Sequence, residues 1–196
     1  MIEEEIKSED LDSGDTGLLL EATKQEIRRL DRLATNFLFY ARPLEIEKQS
    51  LDLNKVLKDV TELVGRECEA SHIRLLVQTD KDLMPLKGDQ DLLKQAVLNL
   101  VVNAREVLRL KKEGERKIML ISGVQGGEAF VKVADNGKGI GSEEAKNLFK
   151  LFYSTKRGGT GLGLPIAQRI VESHGGRIEW KNVPGEGAEF TIWLKV

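Results

Sequence analysis

The sequence predicts an α/β protein of the α+β kind: a two-layer sandwich of one sheet of about five strands under helices, preceded by one long helix. Three observations predict this fold class. Two segments of alternating apolar residues flank Gln125, Gly126 and Gly127, a typical tight-turn sequence between antiparallel strands. Apolar residues at helical spacing precede and follow this hairpin. Two glycine clusters, at 137–139 and 158–163, mark loops between the elements.

The composition fits one sizeable core and excludes several classes of function. Apolar residues make up 40% of the 196, and the 30 basic residues nearly balance the 32 acidic ones. Because binding to a nucleic-acid backbone needs a basic excess, nucleic acid is not an expected partner. The longest apolar run, at 97–102, is too short for a membrane segment, and there is no secretory signal. The single cysteine, Cys68, fits a reducing compartment, and we expect the cytoplasm.

The N-terminal part predicts a helix that assembles with other helices. Residues 1–17 are polar and predict a frayed helix end followed by a loop. From Leu18 to the stop at Pro43, apolar residues form a heptad seam, widened by three neighbours: Leu20, Thr23, Ile27, Leu30, Ala34, Phe37 and Ala41, with Leu33, Leu38 and Tyr40. So wide a face suits a four-helix bundle between chains. The alternative is a helix packed on the core of its own domain. We place the domains at 1–45 and 46–196.

The remaining elements alternate between strands and helices. We predict a strand at 50–53, a helix from Asn54 as its cap to about 69, a strand at 73–79, a helix at about 89–110, the hairpin at 117–124 and 128–134, a short helix opened by Ser142, a helix at 164–173, and strands at 177–181 and 188–194 paired across a turn at 184–187.

The two glycine clusters predict loops that a ligand approaches closely. In the first, Asp135 ends a predicted strand and is followed by Gly137 and Gly139. In the second, the glycines run into a predicted helix that begins near Leu164, with Pro165 in its first turn. A helix N-terminus presents free N–H groups and favours phosphate. Either cluster alone is as typical of an ordinary turn as of a ligand site, whereas the pair in this order favours a site for a ligand that carries phosphate.

Two asparagines on the predicted helix at 89–110 suggest a metal site. Asn99 and Asn103 are four residues apart and therefore share a helix face. They could be solvated or capping amides, but the apolar residues around them make hydration unfavourable. Two semi-buried amide oxygens suit a hard cation such as Mg²⁺ that also holds phosphates.

These segments together resemble sensor histidine kinases of two-component systems. Residues 99–106 resemble the N box, 135–140 the G1 box, 148–152 the F box and 159–164 the G2 box, and the likeness extends from about residue 18 to the end. The family belongs to the GHKL superfamily. The resemblance implies the Bergerat ATP-binding fold, ATP and Mg²⁺ as cofactors, a homodimer through the N-terminal helix, and the receiver domain of a response regulator as partner.

The resemblance also implies roles for single residues. Asp135 would accept the exocyclic amine of adenine, although an aspartate before glycine also stabilises turns. Asn103 would bind Mg²⁺, with Asn99 near the metal or its waters, and Lys156 would neutralise phosphate charge; we expect these three to be catalytic. The pocket would be completed by residues of the two glycine boxes: Gly137, Gly139, Ile140, Gly159, Thr160, Gly161, Leu162, Gly163 and Leu164.

For several neighbouring side chains, a structural role is an alternative to a functional one. Glu106 shares the asparagine face and is either near the metal or solvated, and Lys156 and Arg157 could simply form a solvated basic lid. We expect the aromatic residues Phe149, Phe152 and Tyr153 to dock the lid on the core. The family often has threonine where this chain has Ala188, which puts a water bridge to adenine in doubt.

The sequence context of the two histidines indicates whether either one is the phosphoryl acceptor. The family's H box has an acid beside its histidine, and neither His72 nor His174 has that context, so we expect both to be structural and the acceptor to lie elsewhere. Relatives that hydrolyse ATP carry glutamate at the position of Asn99, so its absence favours transfer over hydrolysis. Two alternatives stay open: a GHKL clamp that hydrolyses ATP, and a nucleotide-responsive scaffold that transfers nothing.

Overall fold

The computed structural model describes residues 13–156, 158–183 and 187–196. The chain divides into two compact units, the first ending at Ala41 and the second spanning Arg42–Val196. The candidate Arg157 and most of the predicted turn at 184–187 lie outside the described residues, as do residues 1–12 of the predicted N-terminal loop. Among the helices that are described, none has the length and apolarity needed to cross a membrane.

The first unit contributes one helix, α1, over Ser13–Ala41. It ends two residues before Pro43, as predicted, because the proline ring disfavours helix in the residue that precedes it. Its start corrects the sequence prediction, since residues 13–17 are helical rather than a loop. Helix propagation adds a hydrogen bond per residue, so a long helix can extend through weak helix formers. Leu20, Ile27 and Leu30 of the heptad seam are exposed.

The second unit holds every strand that the structure describes. Its elements, in chain order, are β1 (Gln49–Leu51), α2 (Leu53–Ala70), β2 (Ile73–Gln78), β3 (Leu86–Gly88), α3 (Gln90–Arg109), β4 (Arg116–Gln125), β5 (Glu128–Asp135), α4 (Ser142–Ala145), α5 (Gly163–Ser173), β6 (Arg177–Val183) and β7 (Gly187–Lys195).

One mixed sheet forms the base of this unit. Its strand order is β2-β4-β5-β7-β6, with β2 and β4 parallel and the other neighbours antiparallel. Gly126 and Gly127 connect β4 to β5 with φ angles of 62° and 81°, which is the geometry that a two-residue hairpin requires. The helices α2, α3 and α5 pack on one face of this sheet. The predicted two-layer α+β fold class is therefore confirmed.

The core lies between the helices and the sheet, because the side chains of each strand alternate between the two faces. Val131, Val133 and Asp135 of β5 face the helices and are buried, as are Leu93, Val97 and Leu100 of α3. α3 contacts α2, α5 and both β4 and β5, so it is the central helix of the layer. This position puts the N box beside the end of β5, where the G1 loop begins.

One local prediction is wrong, and one strand was not predicted. Asp52, not Asn54, caps α2: its Oδ1 accepts the backbone N–H groups of Asn54 and Lys55 at 2.8 and 3.3 Å. The Asn54 amide instead accepts from Ser122 Oγ and donates to the Asp80 carbonyl, at 2.6 and 2.7 Å. The strand β3, which pairs with β1, was not predicted because three residues carry too little periodicity.

Candidate nucleotide-binding site

The site begins with a buried carboxylate at the end of β5. Asp135 is 8% exposed and pairs in register with Ile118 of β4 and Ala188 of β7. Burial raises the pKa of the Asp135 carboxyl, and this rise is opposed by the N–H groups of Gly137 and Ala188 and by the charges of Lys156 and Lys111. A buried carboxylate at a loop mouth is a strong acceptor for a ligand N–H group.

The loop after Asp135 leaves no room for side chains. A Cβ on Gly137 would lie 2.5 Å from Val107 Cγ1 and 2.7 Å from Asp135 Oδ1, whose carboxylate accepts the Gly137 N–H at 2.8 Å. A Cβ on Gly187, where φ is 88°, would lie 2.3 Å from the Asp135 carbonyl oxygen. Gly139 also needs its positive φ of 73°. The glycines therefore let two backbone segments meet beside the carboxylate.

Two asparagines that the sequence analysis did not select hold this loop. The side chain of Asn182 on β6 accepts the Ile140 N–H at 2.9 Å and donates to the Ile140 carbonyl at 2.8 Å. Asn136 Oδ1 accepts the Lys117 N–H at 2.8 Å, and its Nδ2 donates to the Glu115 carbonyl at 2.9 Å. The adjacency of Asn136 to Asp135 was a usable signal, whereas Asn182 is recognisable only once β6 is placed beside β7.

On the α3 side, a lysine ammonium lies among oxygens of the N box. Lys156 Nζ is 2.7 Å from Asn103 Oδ1, 3.3 Å from the Asn103 carbonyl oxygen and 2.8 Å from Glu106 Oε2. The structure thus brings together three residues that the sequence placed in the same site. Since these oxygens already surround one cation, the donor set fits a hard cation such as Mg²⁺.

Asn99 lies one turn earlier on α3, beside the first residue of α5. A Cβ on Gly163 would lie 4.0 Å from both Cβ and Cγ of Asn99. The Nδ2 atom of Asn99 is buried and has no hydrogen-bond partner within the described part of the chain. A buried amide without a partner is costly, so this corner suits a ligand that supplies an acceptor oxygen.

The second glycine cluster packs on the backbone of the F box. Gly161, with φ of 66°, accepts the Phe152 N–H at 3.1 Å, and a Cβ there would lie 2.4 Å from the Phe152 carbonyl carbon. Leu162 is fully buried and precedes α5, whose N-terminus has no side-chain cap. Gly159 donates its N–H to the Lys156 carbonyl at 3.1 Å. Thr160 follows Gly159, and Leu164 is the second residue of α5. The first turn of α5 therefore presents backbone N–H groups without a side-chain cap, a geometry that suits an anion.

One aromatic prediction needs correction. Phe149 and Tyr153 are half-buried, as expected for residues that dock the lid, but Phe152 is 56% exposed and has a φ of 62°. The backbone of Phe152 lies close to Gly161, and because the residue is mostly exposed, the prediction that its ring packs in the core is wrong.

The two histidines have different surroundings, and the hydrogen bonds of the His174 ring support a structural role for that residue. His174 caps the C-terminus of α5: its Nδ1 lies 2.7 Å from the Ile170 carbonyl oxygen, and its Nε2 accepts the Asp89 N–H at 3.0 Å. His72 is exposed in the turn between α2 and β2, with a φ of 53°. Across the described residues, no group of three His, Cys, Asp or Glu side chains could hold a metal, so any metal here needs amide and ligand oxygens.

Comparison with known proteins gives one family and a consistent set of relatives. The profile of the family described as histidine kinase-, DNA gyrase B- and HSP90-like ATPase matches residues 88–196. The sensor histidine kinase ZraS of Klebsiella oxytoca is 37% identical over 88% of this chain, which covers 37% of that protein. The signal transduction histidine-protein kinase AtoS of Escherichia coli is 32% identical over 90% of this chain, which covers 29% of that protein. The chain thus spans only about a third of the length of these relatives.

Solved structures give the same picture at the level of the fold. The catalytic domain of the histidine kinase ThkA is 28% identical, with a TM-score of 0.66, over 77% of this chain and 97% of that one. ThkA in complex with the response regulator protein TrrA is 26% identical, with a TM-score of 0.77, over 93% of this chain and 52% of that one.

Proposed function

Because the chain belongs to the histidine kinase-, DNA gyrase B- and HSP90-like ATPase family, we propose that it binds Mg-ATP and donates the γ-phosphoryl group to a protein histidine. The resemblance of its four boxes to histidine kinases and its ATP-binding fold are both confirmed by the family match and the solved neighbours. The kinase reaction, the metal, the acceptor and the partners are our proposal for this chain.

The observation that carries the proposal is the buried amide of Asn99. Its Nδ2 has no hydrogen-bond partner among the described residues, and it lies beside Gly163 at the open N-terminus of α5. A phosphate oxygen between α3 and α5 would satisfy both the amide and the helix N–H groups. We therefore place the phosphates of ATP at this corner, along Gly159, Thr160 and Gly161 of the second cluster.

We place the metal near the phosphates, on the α3 side of the site. Asn103 Oδ1 already lies 2.7 Å from one cation, the Lys156 ammonium, and it is the ligand that we assign to Mg²⁺. Asn99 would lie near the metal or its waters. When bound, Mg²⁺ neutralises phosphate charge, which together with positioning is the main contribution to phosphoryl transfer.

We place the adenine base at the other end of the site, beside Asp135. Asp135 would accept the exocyclic amine of adenine, a group that guanine lacks at that ring position. Gly137, Gly139 and Ile140 would lie against the ring and sugar, because no side chain fits on these glycines without collision or strain. Leu162 and Leu164 are buried behind the loop and would close the pocket from the α5 side.

Transfer is favoured over hydrolysis by the residue at 99. An ATPase of this superfamily needs a carboxylate there to activate water, and an amide cannot take a proton from water. Lys156, which reaches α3 from the lid, can neutralise charge on the transferred group. A hydrolytic clamp is therefore the weaker alternative, and a scaffold without transfer leaves Lys156 unexplained.

The N-terminal helix suggests how the kinase assembles. Leu20, Ile27 and Leu30 of α1 are exposed at heptad spacing, and burying them in a bundle with a second copy would remove apolar surface from water. We propose that residues 1–45 belong to the dimerisation domain and residues 46–196 to the catalytic domain. The receiver domain of a response regulator is the proposed partner, supported by the ThkA complex with TrrA. Use of ATP implies the cytoplasm.

The proposal is tested by phosphoryl transfer in trans. The chain is incubated with γ-labelled Mg-ATP and a separately expressed dimerisation domain that carries an H-box histidine. We expect label on that domain, labile in acid and stable in base, and none on the chain alone. Asn147→Ala, a surface asparagine whose amide donates to the Glu143 carbonyl, should behave like the unchanged chain, and Asn103→Ala should label only weakly.

Two results contradict the proposal. Release of phosphate into solution with no labelled protein would support the hydrolytic clamp. Tight ATP binding with neither label nor phosphate release would support the scaffold. Label on the isolated chain that disappears in His72→Ala or His174→Ala would overturn the structural role given to that histidine.

A further inference from the structure

A half-buried lysine of the lid contacts three oxygens of α3. Lys156 Nζ contacts Asn103 Oδ1 at 2.7 Å, the Asn103 carbonyl at 3.3 Å and Glu106 Oε2 at 2.8 Å. The lysine side chain is 24% exposed and the glutamate side chain 40%. An ion pair that bridges 50 residues of sequence fixes the lid directly on the helix of the proposed metal site.

We propose that Lys156 and the divalent cation compete for the same position on α3, and that Glu106 is the positioning residue that holds the lysine there until nucleotide arrives. The inference rests on the proposed function, because it takes Asn103 as the metal ligand. It goes further in giving Glu106 a role and in fixing the order of binding.

The competition follows from geometry. Mg²⁺ requires its oxygen ligands at about 2.1 Å, whereas the Lys156 ammonium donates to the same Asn103 oxygen at 2.7 Å, an ordinary hydrogen-bond length. Two cations that share this oxygen would lie within a few ångströms of each other and repel strongly. The lysine must therefore leave Asn103 before a metal ion binds to it.

The order of binding follows from charge. The carboxylate of Glu106 and the ammonium of Lys156 neutralise each other, so without nucleotide these two groups give the site no net attraction for a divalent cation. ATP adds phosphate charge that attracts both the metal ion and the lysine. Transfer of Lys156 from Glu106 to the phosphates would thus free Asn103 and close the lid in one step.

The test measures metal binding to the nucleotide-free chain, with Mn²⁺ as the probe and electron paramagnetic resonance to count free ions. Lys156→Met should bind Mn²⁺ about tenfold more tightly than the unchanged chain, a typical coupling between two sites. Adding Glu106→Gln to that variant should return the affinity to the unchanged level, since the exposed carboxylate is then lost.

The matched control is Lys150→Met. It removes the same charge at an exposed position two residues before the lid begins and should leave Mn²⁺ affinity unchanged. An equal gain in Lys150→Met would show a nonspecific effect of net charge and overturn the inference. No gain in Lys156→Met, with a normal thermal unfolding curve, would overturn it as well.

Two further measurements separate this inference from the proposed function. Glu106→Gln should speed tryptic cleavage after Lys156 in the nucleotide-free chain, and an unchanged cleavage rate would contradict the holding role of Glu106. The second measurement is a titration of the same samples with Mg-ATP, which reports nucleotide binding. Nucleotide binding without the Mn²⁺ gain contradicts only the competition, whereas no nucleotide binding in the unchanged chain contradicts the proposed function itself.

Discussion

The two sides of the site are built differently. The loop at 135–140 is held by other elements: Asn182 of β6 bonds both backbone groups of Ile140, Asn136 bonds the start of β4, and Gly187 of β7 lies against Asp135. In the described part of the lid at 152–162, Gly159 donates to the Lys156 carbonyl within the segment, and the Lys156 side chain contacts α3.

The difference suggests a division of labour between the two sides. A loop fixed by distant strands is already arranged for the base, so little ordering is needed on binding. A lid held by contacts that phosphate can replace is free to close over the ligand. We therefore call 135–140 the fixed wall and 152–162 the lid. A substitution that displaces the backbone of the fixed wall should disturb both folding and binding, whereas a backbone change that the lid has room for should cost little of either.

The largest expected effect comes from Gly187→Ala. The added Cβ would meet the Asp135 carbonyl oxygen at 2.3 Å and the Gly137 nitrogen at 2.6 Å, at a φ of 88° that alanine disfavours. Because both neighbours are backbone atoms, the wall must shift. We expect a loss of unfolding free energy of at least about 2 kcal/mol by urea denaturation, and no measurable ATP binding by calorimetry.

The matched lid variant is Gly158→Ala. Its φ of 82° is similar, but nothing lies within 4 Å of the new Cβ. It should lose only the strain of about 1 kcal/mol that a left-handed alanine carries, and it should still bind ATP. Equal losses in the two variants would remove the distinction between wall and lid.

The second effect concerns the metal. Asn103→Ala removes the proposed ligand while leaving α3 intact, because alanine is the best helix former. ATP binding should lose nearly all of its dependence on Mg²⁺ in calorimetric titrations with and without the metal. If the metal dependence is unchanged, Asn103 is not a metal ligand.

The third effect concerns the base. Asp135→Asn should weaken ATP binding by about 1.5 to 3 kcal/mol, the range for a hydrogen bond to a charged group, which is about ten- to a hundredfold. GTP binding should change little. Equal weakening of both nucleotides would mean that Asp135 supports the loop and does not contact adenine.

The same variant makes a prediction about pH. Burial raises the pKa of Asp135 above its unfolded value, so its contribution to stability is fully present below the unfolded pKa and is lost as pH rises through the folded pKa. Asparagine never ionises and escapes that loss. Urea unfolding should therefore show Asp135→Asn at least as stable as the unchanged chain at neutral pH, with the difference shrinking in acid. A variant less stable at neutral pH would contradict this.

The smallest effect tests the clamp on the fixed wall. Asn182→Ala removes two hydrogen bonds to Ile140, at 2.9 and 2.8 Å, near the surface. We expect about 1 kcal/mol less stability and about fivefold weaker ATP binding. Lys181→Ala, whose side chain pairs instead with Glu189, is the control and should bind ATP normally. A normal Asn182→Ala would mean that the clamp does not set the wall.

Much of this site was predictable because its parts are short, local patterns. Asp135 with its glycines, the pair Asn99 and Asn103, and the glycine-rich start of α5 each carry a signal within a few residues. Long periodic elements such as α3 and the β4–β5 hairpin were predictable for the same reason.

The features that the sequence did not predict depend on pairing between distant strands or on competition between neighbouring residues for the same role. Asn182 and Gly187 join the site only because β6 and β7 pair beside β5. Asp52 and Asn54 are both good caps two residues apart, and the tertiary bonds of Asn54 decide between them. Phe152 is 56% exposed in an irregular segment, and no periodicity of the sequence predicts the exposure of such a residue.

Hydrogen exchange of the chain with and without Mg-ATP is the most direct test of a fixed wall and a closing lid. We predict that amides at 152–162 gain strong protection, while those at 135–140 are already protected in the free chain and change little. The Asp135→Asn variant at the same nucleotide concentration should show a smaller gain in the lid. Protection gained mainly at 135–140, or at neither segment, would contradict a site made of a fixed wall and a closing lid.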